Sequence, residues 1–95
     1  MAEVILTRVA RQDLIDIEDY VSEQSPSRTQ ALINKLLDRI TILETLPQAG
    51  PKIPELDNDE LRQLVEGSYR ILYRIASEET IYILRFLHNR RQLEL

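Results

Sequence analysis

Arg62, Arg70, Arg74, Arg85, Arg90 and Arg91 crowd the last 34 residues of the chain, together with its only histidine, His88. Arginine's planar fork grips carboxylates and phosphates through paired hydrogen bonds. Imidazole is the side chain whose ordinary pKa lets it move protons near neutrality. Two chemistries are therefore available: binding of an anionic partner, and proton transfer. Upstream, Glu55 sits with Asp57, Asp59 and Glu60 in the run PELDNDE. Each of these residues also has a plainer explanation. A lone histidine at the end of a strand is most often a solvated surface residue, and Glu55 reads as one member of a solvated acidic loop. The arginines pair with those acids at about 0–1 kcal/mol per exposed bridge, or they await carboxylates from elsewhere.

Charge is unevenly distributed. Residues 1–66 hold seven basic and thirteen acidic side chains, whereas residues 67–95 hold five arginines against three acids. The overall charge of −4 and pI near 5.0 argue against nonspecific nucleic-acid binding, which rests on a broad cationic footprint. A local basic face remains compatible with both numbers. There is no cysteine, so disulfides and thiolate metal sites are excluded, and no metal or cofactor is expected. No apolar run has the length of a membrane span, and residues 1–7 lack the cationic start and long apolar stretch of a secretion signal. A cytoplasmic protein with no membrane partner is the expectation. Ninety-five residues suffice for one domain spanning 1–95.

The elements that must position these residues follow from periodicity. Glu3–Leu6 is a short β-branched run, readable as a strand, and Thr7 is placed to cap a helix. Leu14, Ile17, Tyr20 and Val21 recur at helical spacing, with Asp13, Asp16, Glu18 and Asp19 on the solvated side, which predicts a helix over Arg8–Gln24. Ser25-Pro26 restarts the chain, Ser as cap and Pro at the first helical position. Leu32, Ile33, Leu36, Leu37, Ile40, Leu43 and Leu46 then form an apolar stripe on a helix that ends before Pro47. So short a joint predicts an antiparallel helix hairpin. Pro47–Asp59 reads as an ordered loop. Leu61–Glu66, Tyr69–Ala76 and Thr80–His88 read as three strands, joined by turns at Gly67-Ser68 and Ser77–Glu79.

The result is an α+β fold: an N-terminal strand, a two-helix hairpin, and a three-stranded antiparallel meander packed on the helices, with the first strand at an edge. In the middle strand Tyr69, Ile71, Tyr73 and Ile75 point one way, towards the helices, and Arg70, Leu72 and Arg74 the other. Arg85, alternating with Tyr82, Leu84 and Phe86, is expected to join the arginines. The sheet is then greasy beneath and arginine-studded above, and the arginines find no partner within the chain.

The order of elements, with DLIDIEDYV in the first helix, LPQAGPKIPEL before the meander, LRQLVEGSYRILYRI across the hairpin and IYILRFLHNRRQL at the end, resembles the ParE/RelE superfamily of toxins. The closing Leu87-His88-Asn89-Arg90-Arg91-Gln92-Leu93 resembles the ParE branch in particular. The resemblance implies a RelE/ParE-like fold and a cytoplasmic bacterial toxin of a type II toxin–antitoxin module, of the kind linked to plasmid stabilisation. Such a toxin is held in a hetero-oligomer by an antitoxin whose acidic, amphipathic C-terminal segment wraps it. ParE-type members inhibit DNA gyrase by protein contact; RelE-type members cut messenger RNA on the ribosome.

For the second activity, the resemblance places Glu55 as general base, Arg70 as phosphate clamp and His88 as general acid of a metal-free cleavage. Asn89 stands where some nucleolytic relatives carry a functional tyrosine, and cations for gripping ribosomal RNA are sparse. The first activity is the favoured reading, with no catalytic residue expected. Its contact residues, for antitoxin or target, are Arg62, Arg70, Arg74, Arg85, His88, Arg90, Arg91 and Leu93.

Overall fold

The computed structural model describes residues 1–90. Strand β1 (Glu3–Leu6) leads into helix α1 (Arg8–Gln24), and Thr7 caps it, its hydroxyl accepting from the Ala10 N–H at 3.1 Å. Helix α2 (Pro26–Ile40) starts with Pro26 at its first position, as expected. The expected Ser25 side-chain cap does not form. Instead the Ser25 carbonyl accepts from the Arg28 N–H at 3.0 Å and from the Thr29 hydroxyl at 3.2 Å, so the backbone of the joint serves where the side chain was expected.

Helix α2 is also shorter than its apolar stripe suggested. It ends at Ile40 and tightens into a 3-10 turn over Thr41–Glu44. Thr41 donates its hydroxyl to the Asp38 carbonyl at 2.7 Å, the kind of local side-chain bond that competes with the helical ladder. The tightening still buries Leu43 but leaves Leu46 exposed.

Strands β2 (Leu61–Glu66), β3 (Tyr69–Ile75) and β4 (Thr80–His88) form the antiparallel meander, and β1 adds to β4. The order is β1-β4-β3-β2; because β1 runs parallel to β4, the sheet is mixed. Gly67 turns the β2–β3 hairpin at φ +57, a left-handed conformation that a side chain would strain.

The main core lies between the helix pair and one face of the sheet. Leu36, Ile40, Leu43, Leu64, Ile71, Tyr73, Ile81, Ile83 and Phe86 meet there with Ala10, and Tyr69 and Ile75 pack at its margin. The expected inward set of β3 is therefore the observed one. Truncating Leu36, which is fully buried, to Ala should cost about 2–5 kcal/mol in an equilibrium denaturation experiment. A loss below about 1 kcal/mol, the range of surface substitutions, would contradict this packing.

The opposite face departs from the expected arginine-studded surface. Leu72 and Leu87 form a second small core with Ile53, joined by Leu56, Leu61 and Leu84. The loop between the 3-10 turn and β2 folds over this face and supplies Ile53. It is held along the β2 edge by Gln63 N–H to the Pro51 carbonyl at 3.0 Å and by a bridge between Lys52 and Arg62.

One irregularity decides what faces where. Ile75 pairs with Ile81 and Tyr73 with Ile83, but Leu72 pairs with Arg85 and Ile71 with Phe86, which leaves Leu84 unmatched. This β-bulge inserts one residue into β4 and reverses the parity of everything after it. Ile81, Ile83 and Phe86 all reach the main core, whereas Leu84 and Leu87 reach the second one. The expected set of Tyr82, Leu84 and Phe86 on one face is thus broken. Tyr82 lies opposite Arg74 with its ring under the guanidinium, 5.6 Å from ring centre to Cζ.

Candidate functional site

Arg70 and Glu55 come together. Arg70 donates Nη1 and Nη2 to the two Glu55 oxygens, both at 3.0 Å, and Nε to the Gln63 side-chain oxygen at 2.8 Å. A fork fixed on both sides in this way is pre-positioned and already occupied. Arg70's hydrogen bonds hold the Glu55 carboxyl below its ordinary pKa. That is the wrong direction for a general base, which works best near the operating pH.

His88 is not with them. It pairs across the sheet with Tyr69, and the two rings meet edge to face at 5.4 Å between centres. Tyr69 faces the helices and its neighbour Arg70 faces away, so His88 and Arg70 lie on opposite sides of the sheet. Strict alternation from Ile83 would have put His88 on Arg70's side. The bulge at Leu84 moves it to the other.

His88 Nδ1 accepts from the Arg90 N–H at 3.2 Å. Both residues border a cavity of about 510 Å³ with Asp16, Ile17, Tyr20 and Tyr69. Tyr20, expected on the apolar side of α1, is 61% exposed at its rim.

Arg62, Arg74 and Arg85 are engaged as well. Arg74 faces Glu60 at 3.6 Å, and neighbouring Lys52 faces Asp59 at 2.7 Å. With Glu55, the acidic loop thus provides a carboxylate for each of Lys52, Arg70 and Arg74, so the expected unpaired arginine face does not exist. The Lys52–Asp59 and Arg74–Glu60 pairs are exposed and stabilise little, whereas the Arg70 side chain in its bidentate pair is only 13% exposed. Arg62 pairs with Tyr73 in register, on the helix side of β2, and donates Nη1 to the Gly50 carbonyl at 3.0 Å.

Arg85 was expected beside Arg70 and Arg74. Its guanidinium instead binds Asp13 of α1, Nε to Oδ2 at 2.7 Å and Nη2 to Oδ1 at 3.0 Å. Asp13, which charge patterning placed on the solvated side of α1, is only 8% exposed. Its one available signal was position: it lies one residue before Leu14, at the boundary of the apolar stripe. Arg91 and Leu93 lie outside the described residues.

Among the described residues no group of three or more carboxylate or histidine side chains converges as metal ligands, and no helix is long and apolar enough to cross a membrane.

Comparison with known proteins assigns the class. Residues 4–93 match the family described as the ParE toxin of the type II toxin–antitoxin system parDE. The chain belongs to this family, within the ParE/RelE superfamily of type II toxins. Among solved structures it is similar to a chain of the chromosomal ParDE toxin–antitoxin system from P. aeruginosa, with a TM-score of 0.76 and 21% identity over 93% of this chain and 96% of the other. It is also similar to a chain of the RelBE2 toxin–antitoxin complex from Mycobacterium tuberculosis, with a TM-score of 0.59 and 26% identity over 92% and 96%. No curated protein sequence matches it.

Proposed function

We propose that this toxin acts as a noncatalytic inhibitor of DNA gyrase through protein–protein contact and is neutralised by a cognate antitoxin. The observation that carries the reading is the dispersal of the cleavage residues. A metal-free ribonuclease needs base, phosphate clamp and acid around one scissile bond. Here Glu55 and Arg70 neutralise each other on one face of the sheet, while His88 stacks on Tyr69 on the other. Membership of the ParE family points the same way, as does an acidic pI for a protein that would otherwise have to seek the ribosome.

An antitoxin partner is supported by the toxin class and by both structural neighbours, which come from a ParDE toxin–antitoxin system and a RelBE2 toxin–antitoxin complex. An acidic, amphipathic segment would compete with Glu55 and Glu60 for Arg70 and Arg74, so its binding should weaken with salt.

The test supplies purified toxin separately to a gyrase supercoiling reaction and to translating ribosomes. The expected result is loss of supercoiling with accumulating cleaved DNA and intact messenger RNA. Messenger RNA cut within codons, with gyrase unaffected, would overturn the proposal in favour of the ribosome-dependent endonuclease.

A further inference from the structure

Strand β4 outruns its neighbour. β1 pairs with it only as far as Leu6 opposite Ile83, and the chain then turns into α1 through Thr7, whose N–H donates to the Ile83 carbonyl at 3.1 Å. Beyond that point no strand among the described residues flanks β4 on this side, yet the backbone N–H of Phe86 is buried and needs an acceptor. Asp13 Oδ2 provides it at 3.0 Å, while the same carboxylate holds the Arg85 guanidinium. Both bonds fall immediately after the unmatched Leu84. One side chain of α1 therefore stands in for the missing strand at the place where β4 changes parity.

We propose that Asp13 is a positioning residue for the toxin's contact segment. By clamping Arg85 and Phe86 it fixes the bulge, and the bulge determines that His88 and Arg90 leave the sheet on the α1 side, beside Tyr20 and Tyr69. A β-bulge lacks a full ladder of its own and is held by whatever satisfies its free groups. Here the Thr7 hydroxyl donates to the Leu84 carbonyl at 3.4 Å, and the Phe86 N–H and Arg85 guanidinium are held by a buried, charge-assisted acceptor on another element. The proposal rests on the functional reading above in one respect: the C-terminal segment is taken to touch the target.

The experiment uses the full chain with Asp13→Ala and Asp13→Asn, followed by amide exchange and NMR contacts, alongside supercoiling inhibition. In Asp13→Ala the Phe86 amide should exchange about tenfold faster or more relative to the Ile71 amide, as loss of a charged acceptor implies. The His88–Tyr69 ring contact should weaken, and inhibition should fall about tenfold while the rest of the sheet stays protected.

Asn keeps an oxygen that can accept from Phe86, so Asp13→Asn should recover part of the protection and part of the inhibition. It also keeps the test valid if the Ala variant does not fold. Unchanged Phe86 exchange with an intact His88–Tyr69 contact would overturn the clamp, and a loosened bulge with full inhibition would overturn its role in positioning. Wild-type protein without effect on supercoiling would refute the proposed function instead. The exchange and ring-contact readouts need no target and still judge the clamp.

Discussion

Removal of Arg90–Leu95 should abolish gyrase inhibition, whereas His88→Ala should change it by less than about threefold. Such an asymmetry is what a contact mechanism predicts. A few anchors dominate an interface, arginine prominent among them, and the segment carries Arg90 and Arg91 beside the apolar Leu93. His88 has its ring against Tyr69 and its Nδ1 taken by the Arg90 N–H, so it contributes local packing more than chemistry.

The nuclease mechanism predicts the reverse. Loss of a general acid should slow cleavage about 10²-fold or more with the fold intact. Arg70→Ala would also leave the transition-state charge uncovered. Under the contact mechanism, Arg70→Ala should mainly release Glu55 and Gln63, a change visible as altered salt dependence of antitoxin binding. Dose–response curves for supercoiling with the truncated, His88→Ala and Arg70→Ala proteins distinguish the two, provided circular dichroism confirms that each is folded. A truncated toxin of full potency would sink the contact reading.

Gly50→Ala should be among the most damaging single methyl additions in this protein. A Cβ built there would lie 2.1 Å from the Gln63 carbonyl oxygen and 2.8 Å from its carbon. The obstacle is backbone, so no rotamer change relieves it. Moving the loop away would break the Gln63 N–H bond to Pro51 and the bond from Gly50 N–H to the Tyr73 hydroxyl, 3.0 Å in length. Tyr73 is fully buried, and its own O–H donates to the Pro47 carbonyl at 2.8 Å, so one phenol ties both ends of the Pro47–Gly50 segment to β3.

The cost should reach the upper end of overpacking, about 3 kcal/mol. For a chain of this length that corresponds to a Tm lower by roughly 12–24 °C. Tyr73→Phe provides the comparison: it removes the two bonds without the clash and should cost about 1–3 kcal/mol for the N–H left buried and unmatched. Calorimetry on both variants checks the ranking. A Gly50→Ala protein as stable as the parent would mean that the loop does not sit against β2.

Much of this architecture was legible in the residues themselves. Helix α1 runs over its expected span because a 17-residue amphipathic segment with a threonine before it and Ser25-Pro26 after it has few alternatives. Strands β2 and β4 also match their expected bounds, since Gly67-Ser68 and Ser77–Glu79 punctuate short β-rich runs. The inward set of β3 followed from period-two alternation alone. Local chemistry decides such features, and local chemistry is written in the order of the residues.

The placement of the candidate site was decided elsewhere. Nothing in IYILRFLHN marks Leu84 as the extra residue, because a bulge arises from two strands of unequal path and its sign is in neither alone. That one residue separates His88 from Arg70 and so divides the three groups that nuclease chemistry would require. Likewise, Asp13 is one of several acids along α1 until β1 stops short and leaves the Phe86 N–H for it to satisfy. The acids of the Pro47–Asp59 loop read as solvated until the loop folds back and sets Glu55 against Arg70. In each case the partner is distant in sequence, and only the packing brings the two together; for Asp13 it also removes water and so demands a counterpart.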